Sequence, residues 1–312
     1  MNTPIDADLL NYLHQQANSK EIQEKELNAI RKNINLNLIK YNDLPPSLVS
    51  VNDVLIPAEK ERIRVRIYNP LENQTLPVLI FIHGGGWFAG NIDTHDVFCR
   101  KIAKFAKCLI ASVDYRLAPE NKFPTALEDC CEACSWVKKH IKDYSGDPSN
   151  IAVCGDSSGG NLAAALSHML IAEDLPIFKF QFLIFPVMNL SSLNTESYQL
   201  FGKDYGLTKE DMQWFINKYL NHSGEARHSS ASPLISNNFS MIPKSCIITA
   251  GYDVLKDEAN AYAEKLKAAG ISVIQKCYED MIHGFIVLDG ISDRVKQIIK
   301  EMGDLIHVAF KQ

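Results

Sequence analysis

One serine in this sequence stands where its hydroxyl could be made reactive. Ser157 is the centre of Gly155-Asp156-Ser157-Ser158-Gly159, a G-x-S-x-G pattern that Gly160 extends. A serine hydroxyl is a poor nucleophile until a neighbouring base takes its proton. The turn this pattern makes holds the serine in strained φ/ψ, and its glycines let adjacent chain approach without a Cβ clash. As a bare string it also fits a turn that does no more than cap a helix. The setting favours the nucleophile. An apolar strand, Ile151 to Cys154, runs into the turn, and a helix, Asn161 to Leu170, runs out of it.

A serine attacking a carbonyl also needs donors for the oxyanion that forms. His83-Gly84-Gly85-Gly86-Trp87 follows the apolar run Val78 to Ile82. Three glycines after a buried strand expose backbone N–H groups, and in this kind of site the second donor is the N–H after the nucleophile, here Ser158. A flexible connector is the plainer reading of the glycines. A phosphate loop is disfavoured, because the spacing fits neither G-x-x-x-x-G-K-[ST] nor G-x-G-x-x-G.

The serine also needs a base held in its tautomer by an acid, and where a serine sits on such a strand-to-helix turn the acid and then the base follow it along the chain. His168, His222, His228, His283 and His307 follow Ser157. His168 falls in the helix after the nucleophile, His222 and His228 in a long irregular stretch, and His307 in the last helix. His283 alone sits in a loop after the final strand, as Met281-Ile282-His283-Gly284-Phe285. For the acid, the loop after the preceding strand reads Ala250-Gly251-Tyr252-Asp253-Val254-Leu255-Lys256-Asp257-Glu258. Asp253 lies just past the strand. Asp257 and Glu258 open a helix, where acids favour the dipole without further purpose.

These residues need a scaffold that brings four loops to one place. Short apolar runs at Val78 to Ile82, Cys108 to Val113, Ile151 to Cys154, Phe180 to Phe185 and Cys246 to Ala250 suit strands of a parallel sheet covered on both faces. Val49 to Ile56, Ile63 to Tyr68 and Ser272 to Cys277 add further strands. Helical patterns lie between them at about 93–106, 125–143, 158–173, 256–269 and 290–310. The alternation predicts an α/β fold with a mostly parallel central sheet flanked by helices. Residues 1–46 read as an N-terminal helical cap segment, with Leu9, Leu10, Leu13, Ile22, Leu27 and Ile30 near helical spacing, ended by Leu44-Pro45-Pro46. Residues 47–312 form the catalytic domain. An insertion at about 188–240 breaks the rhythm, carries one helix (Lys209 to Tyr219), and is expected to cover the sheet as a cap.

The chain has 312 residues, 46% hydrophobic and 22% charged, with a net charge of −5. That balance argues against nucleic acid or an anionic membrane as partner. No segment approaches the length of a membrane span, and the first residues carry no leader pattern, so a cytoplasmic location is expected. Eight cysteines without an export signal read as free thiols. Cys131 and Cys134 form one C-x-x-C in a helix, without the second pair or histidines a metal site would need. No metal or organic cofactor is expected.

Taken in order, the motifs resemble the hormone-sensitive-lipase-like family of α/β-hydrolases. The resemblance runs from about residue 50 onward. It rests on the 83–87 block, on Asp114-Tyr115-Arg116-Leu117-Ala118-Pro119-Glu120, on Phe123-Pro124-Thr125-Ala126, on 155–160, on Asp253-x-Leu255 with Asp257-Glu258, and on His283-Gly284-Phe285. Ser158 stands where the family commonly has alanine, which leaves the backbone N–H unaffected. The resemblance implies a Ser157–His283–Asp253 triad, an oxyanion hole from Gly84, Gly85, Gly86 and Ser158, and caps from the N-terminal helices and the insertion. Asp114 and Arg116 are expected to brace loops. The implied activity is a serine carboxylesterase acting on small acyl esters, with an aromatic pocket from Trp87, Trp214 and Phe215. An amidase or deacetylase on the same triad stays open, as does a non-catalytic ligand-binding relative. A homodimer through the last strand and helix is compatible with the sequence.

Overall fold

The computed structural model describes residues 3–17, 26–57, 61–172 and 178–312. Ile22 and the end of the helix expected at 158–173 lie outside the described residues. The strands are β1 (Ser50–Ile56), β2 (Ile63–Asn69), β3 (Leu76–Ile82), β4 (Leu109–Asp114), β5 (Gly146–Asp156), β6 (Phe178–Ile184), β7 (Lys244–Tyr252) and β8 (Val273–Ile282). They form one sheet in the order β1-β2-β4-β3-β5-β6-β7-β8. β2 runs antiparallel to both β1 and β4, and the remaining pairings are parallel. The helices are α1 (Ala7–Ala17), α2 (Leu27–Lys40), α3 (Asp96–Ala106), α4 (Thr125–His140), α5 (Ser158–Ala172), α6 (Glu196–Phe201), α7 (Lys209–Tyr219), α8 (Lys256–Ala268) and α9 (Asp293–Lys311).

The period of two in the apolar strands splits the core into two layers. On β3, Val78, Ile80 and Ile82 face one way and pack with α4, α5 and α8. Leu79 and Phe81 face the other way and pack with α3 and α9. Both faces of the sheet are thus covered, as its almost unbroken apolar strands require.

Several boundaries differ from the sequence reading, and two of these and one added helix have a clear physical reason. β8 continues past Cys277 to Ile282, because Tyr278, Met281 and Ile282 are buried while Glu279 and Asp280 interrupt the apolar text. β5 begins at Gly146, five residues before its apolar run, through a single pairing with Leu76 and a register shift. The insertion holds α6 as well as α7; six residues are too few to show a helical period.

The N-terminal segment packs over the carboxyl ends of β7 and β8. Asp6 N–H donates to Asp280 O at 2.9 Å, and the Tyr252 hydroxyl donates to Thr3 O at 2.7 Å. Leu9 and Leu13 of α1 are buried. α2, by contrast, buries no side chain fully. Cys130 and Cys134 lie buried in α4, with Cys131 half-buried beside them, none of the three in a disulfide. Among the described residues no helix is long and apolar enough to cross a membrane.

Of the two residues expected to brace loops, Asp114 instead pairs across strands, with Arg64 of β2 at 3.0 Å, whereas Arg116 ties the segment after β4 to α4. Asp129, buried in α4, accepts from the Arg116 backbone N–H at 2.9 Å and from its Nη2 at 2.6 Å. Removing the Asp129 carboxylate loses charged hydrogen bonds to a half-buried guanidinium and to a backbone N–H. Asp129→Ala is therefore expected to lower the unfolding free energy by about 2–3 kcal/mol, read from urea unfolding. A loss under about 1 kcal/mol would show that the brace does not matter.

Candidate active site

The four loops singled out in the sequence leave the carboxyl ends of β3, β5, β7 and β8, the edge of an α/β sheet where sites are built. Between β5 and α5 the chain turns on Ser157, whose φ is +54°. That is the left-handed region, strained for a residue with a Cβ. Surrounding backbone holds it there. Ser157 N–H donates to Ile184 O at 2.9 Å, and Ser157 O accepts from Asn161 and Val187 at 3.0 and 3.1 Å. The glycine at 159 is needed because any Cβ there would strike the Ile82 carbonyl. The turn thus lies directly against the end of β3.

His283, one residue past β8, reaches Ser157. Its Nε2 is 2.9 Å from Ser157 Oγ, and its Nδ1 is 2.8 Å from Asp253 Oδ2. A carboxylate only accepts, so Nδ1 carries the proton, and Nε2 is left to accept from the serine hydroxyl. Asp253 is buried, and its other oxygen accepts from Leu255 N–H at 2.9 Å. Phe185 stacks edge-on against the imidazole, ring centres 4.8 Å apart. Ser157, His283 and Asp253, drawn from three loops spread over 126 residues, form one continuous hydrogen-bonded chain.

The glycine run divides. Gly84 is buried, and its N–H donates to Asp156 Oδ1 at 2.9 Å. It therefore has no proton left for a ligand, which separates it from the other residues expected as oxyanion donors. Gly85 and Gly86 are half-exposed, and their N–H groups, like that of Ser158, have no partner among the described residues. The loop is fixed at several further points. Tyr115 donates its hydroxyl to His83 O at 2.9 Å. His83 stacks on Tyr115 with ring centres 4.3 Å apart, and burial, with His95 nearby, pushes its imidazole down to about 4. A neutral ring thus backs the glycines.

The three aromatic residues expected at a substrate do not share one environment. Trp87 is fully buried and stacked on Tyr219 at 4.4 Å, so it braces α7 and meets no solvent. Trp214 and Phe215, on the next turn of α7, are half-buried. Trp214 meets Phe88 edge-on at 4.8 Å. Phe215 covers Gly86 so closely that a Cβ there would lie 2.5 Å from the ring.

These geometries are matched by family. Residues 79–287 fit the model of the alpha/beta hydrolase fold family. The chain belongs to that family. It falls in the hormone-sensitive-lipase-like branch that the motifs resemble. The carboxylic ester hydrolase LipN of Mycobacterium tuberculosis is 38% identical over 250 residues, which are 78% of this chain and 66% of that protein. An arylesterase of Saccharolobus solfataricus is 31% identical over 312 residues, 99% of this chain and 100% of that one. The solved structure of a hyperthermophilic esterase from the archaeon Pyrobaculum calidifontis superposes with a TM-score of 0.91 at 33% identity, over 98% of this chain and 99% of that one.

Two acids have more to do here than sequence reasoning allows. Asp257 and Glu258 read as helix-dipole acids, yet both tie down the insertion. Asp257 Oδ2 accepts from Ser197 N–H at 2.8 Å. Glu258 is buried, and its Oε1 accepts from Met188 N–H at 2.6 Å and Asn189 N–H at 3.2 Å, where the insertion leaves the sheet. Its Oε2 has no partner among the described residues. Burial pushes this carboxyl up to about 8, partly opposed by the two backbone N–H groups. A carboxyl with a raised folded-state value binds a proton more tightly folded than unfolded. Its stabilisation is complete below the ordinary carboxyl range and is lost as pH rises through about 8. Glu258→Gln, which cannot ionise, should therefore lose less stability than the wild type between pH 5 and 9. The variant's Tm minus that of the wild type should rise by roughly 3 °C or more across that range. Parallel Tm curves would contradict the assignment.

Proposed function

We propose that this protein hydrolyses carboxylic esters of short acyl groups through an acyl-enzyme on Ser157. The observation that carries the proposal is the unbroken hydrogen-bond chain from Ser157 Oγ through His283 to Asp253. In the first step Oγ attacks the ester carbonyl carbon and its proton passes to His283 Nε2. Asp253 holds the imidazole in the required tautomer and stabilises the imidazolium. The tetrahedral oxyanion takes the N–H groups of Gly85, Gly86 and Ser158, and not that of Gly84, which Asp156 occupies. Collapse expels the alcohol, which takes the proton from His283. Water then attacks the acyl-enzyme, with His283 again as base. The names of the relatives, ester hydrolase, arylesterase and esterase, favour ester over amide cleavage.

The short-acyl preference rests on Phe215. Its ring lies over Gly86, beside the proposed oxyanion donors, and Trp214 and Phe88 pack behind it. An acyl chain leaving Ser157 on that side meets aromatic rings within a few carbons. In this reading α1, α2 and the 188–240 insertion form a cap over the sheet edge.

On a p-nitrophenyl ester series, kcat/KM should peak near about four carbons and fall at least ~10-fold by about twelve. Ser157→Ala should lower kcat by roughly 10⁴ or more. Asp253→Asn, with the wrong tautomer favoured, should lower it by about 10³–10⁴. A maximum at twelve carbons or beyond would remove the acyl preference. Residual turnover above about a tenth in Ser157→Ala would remove the nucleophile.

A further inference from the structure

We propose that Arg31 is a positioning residue for the oxyanion donors, acting from α2 through Phe88. The inference rests on the esterase reading and extends it to a helix outside the 79–287 span that the family model matches.

Arg31 is the principal polar anchor of α2, a helix with little apolar hold on the body, since none of its side chains is fully buried. Its Nε donates to Phe88 O at 2.7 Å and its Nη2 to Ala118 O at 2.9 Å. The same guanidinium grips the Glu120 carboxylate at 2.6 and 3.1 Å. It also lies over the Phe88 ring, 4.8 Å from the ring centre. One turn along, Asn35 Oδ1 accepts from Gly90 N–H at 2.8 Å. Positions four apart share a helix face. α2 thus holds residues 88–90 from both ends.

Peptide geometry carries that grip to the oxyanion donors. Phe88 and Ala89 N–H both donate to Gly85 O, at 3.2 and 2.9 Å. The peptide unit is planar and trans, so its C=O and the adjoining N–H point in opposite directions. Fixing Gly85 O fixes the direction of the Gly86 N–H, one of the proposed oxyanion donors. The chain of constraint runs from Arg31 to Phe88, from Phe88 to Gly85 O, and across one rigid plane to Gly86 N–H. The Phe88 ring also supports Trp214 and Phe215, and Phe215 covers the same Gly86.

A donor that is misaimed but present costs less than a donor removed, for which about 10²–10³ in rate is usual. Arg31→Ala and Arg31→Lys should each lower kcat on p-nitrophenyl butyrate by roughly 10-fold, with KM moving less than about 3-fold. Lysine keeps the charge but lacks the planar fork, so it should not rescue. A trifluoromethyl ketone inhibitor, whose adduct with the serine carries the oxyanion, should weaken by the same factor as kcat, while Tm changes by only a few degrees. Three results would overturn the inference: an unchanged kcat, a lowered kcat with inhibitor affinity unmoved, or full rescue by lysine. If Arg31→Ala does not fold, Arg31→Lys alone decides by the same readings. A wild type without turnover of the ester would sink the esterase reading itself, whereas an active wild type with unaffected variants would sink only the role of Arg31.

Discussion

The backbone of Ser157 is held at φ +54° by a turn with almost no slack. Strand β5 must stop at Asp156 and helix α5 must start at Ser158 for the hydroxyl to stand clear of the sheet. The turn can sit that low only because the backbone passes against Ile82 O at a glycine. A residue in the left-handed region costs of order 1–3 kcal/mol. Here three backbone hydrogen bonds, to Ile184, Asn161 and Val187, offset it. Everything else at the site is placed relative to that turn. β6 lies alongside it, the β3 loop lies across it, and the loops of β7 and β8 supply the groups that reach its hydroxyl.

The polar groups behind the site form a second layer with one task, which is to keep soft loops in fixed relation to the rigid turn. Asp156, next to the serine, ties the turn to Gly84. Tyr115 ties the β4 loop to His83 O. Glu258 and Asp257 tie the root of the 188–240 segment to the helix that follows Asp253. Each of these is a buried or half-buried carboxyl or hydroxyl group facing backbone N–H or C=O. Such groups are costly to bury unpaired and stiff once paired. The result suits electrostatic catalysis, which depends on donors aimed before the reaction starts.

Much of the fold and the central chain of groups was legible in the sequence, and for a physical reason. Ser157, His283 and Asp253 are each read from their own neighbourhood: a strand ends, a loop begins, and a residue of the right chemistry comes next. The glycines at 84–86 are legible in the same way, as a backbone that must come close to something. What the sequence could not tell was which glycine keeps its N–H. The partner of Gly84 is Asp156, 72 residues away, and only the parallel pairing of β3 with β5 brings them together. Glu258 misled because an acid at a helix start has a sufficient local explanation, while its contacts with Met188 and Asn189 span 70 and 69 residues. Trp87 looked like a pocket residue because it comes directly after the glycines; its burial against Tyr219 depends on where α7 lies. Arg31 carried no signal at all, since Phe88, Ala118 and Glu120, through which it meets the site, lie 57 to 89 residues away.

The central claim is that Ser157 is a nucleophile activated by His283. The most direct test is peptide mapping by mass spectrometry after reaction with diethyl p-nitrophenyl phosphate, which traps an activated serine and needs no knowledge of the natural substrate. One diethylphosphoryl group is expected, carried by Ser157 and forming at least ~10²-fold more slowly in folded His283→Ala. A group on another residue, no adduct on folded protein, or an undiminished rate in His283→Ala would contradict the claim.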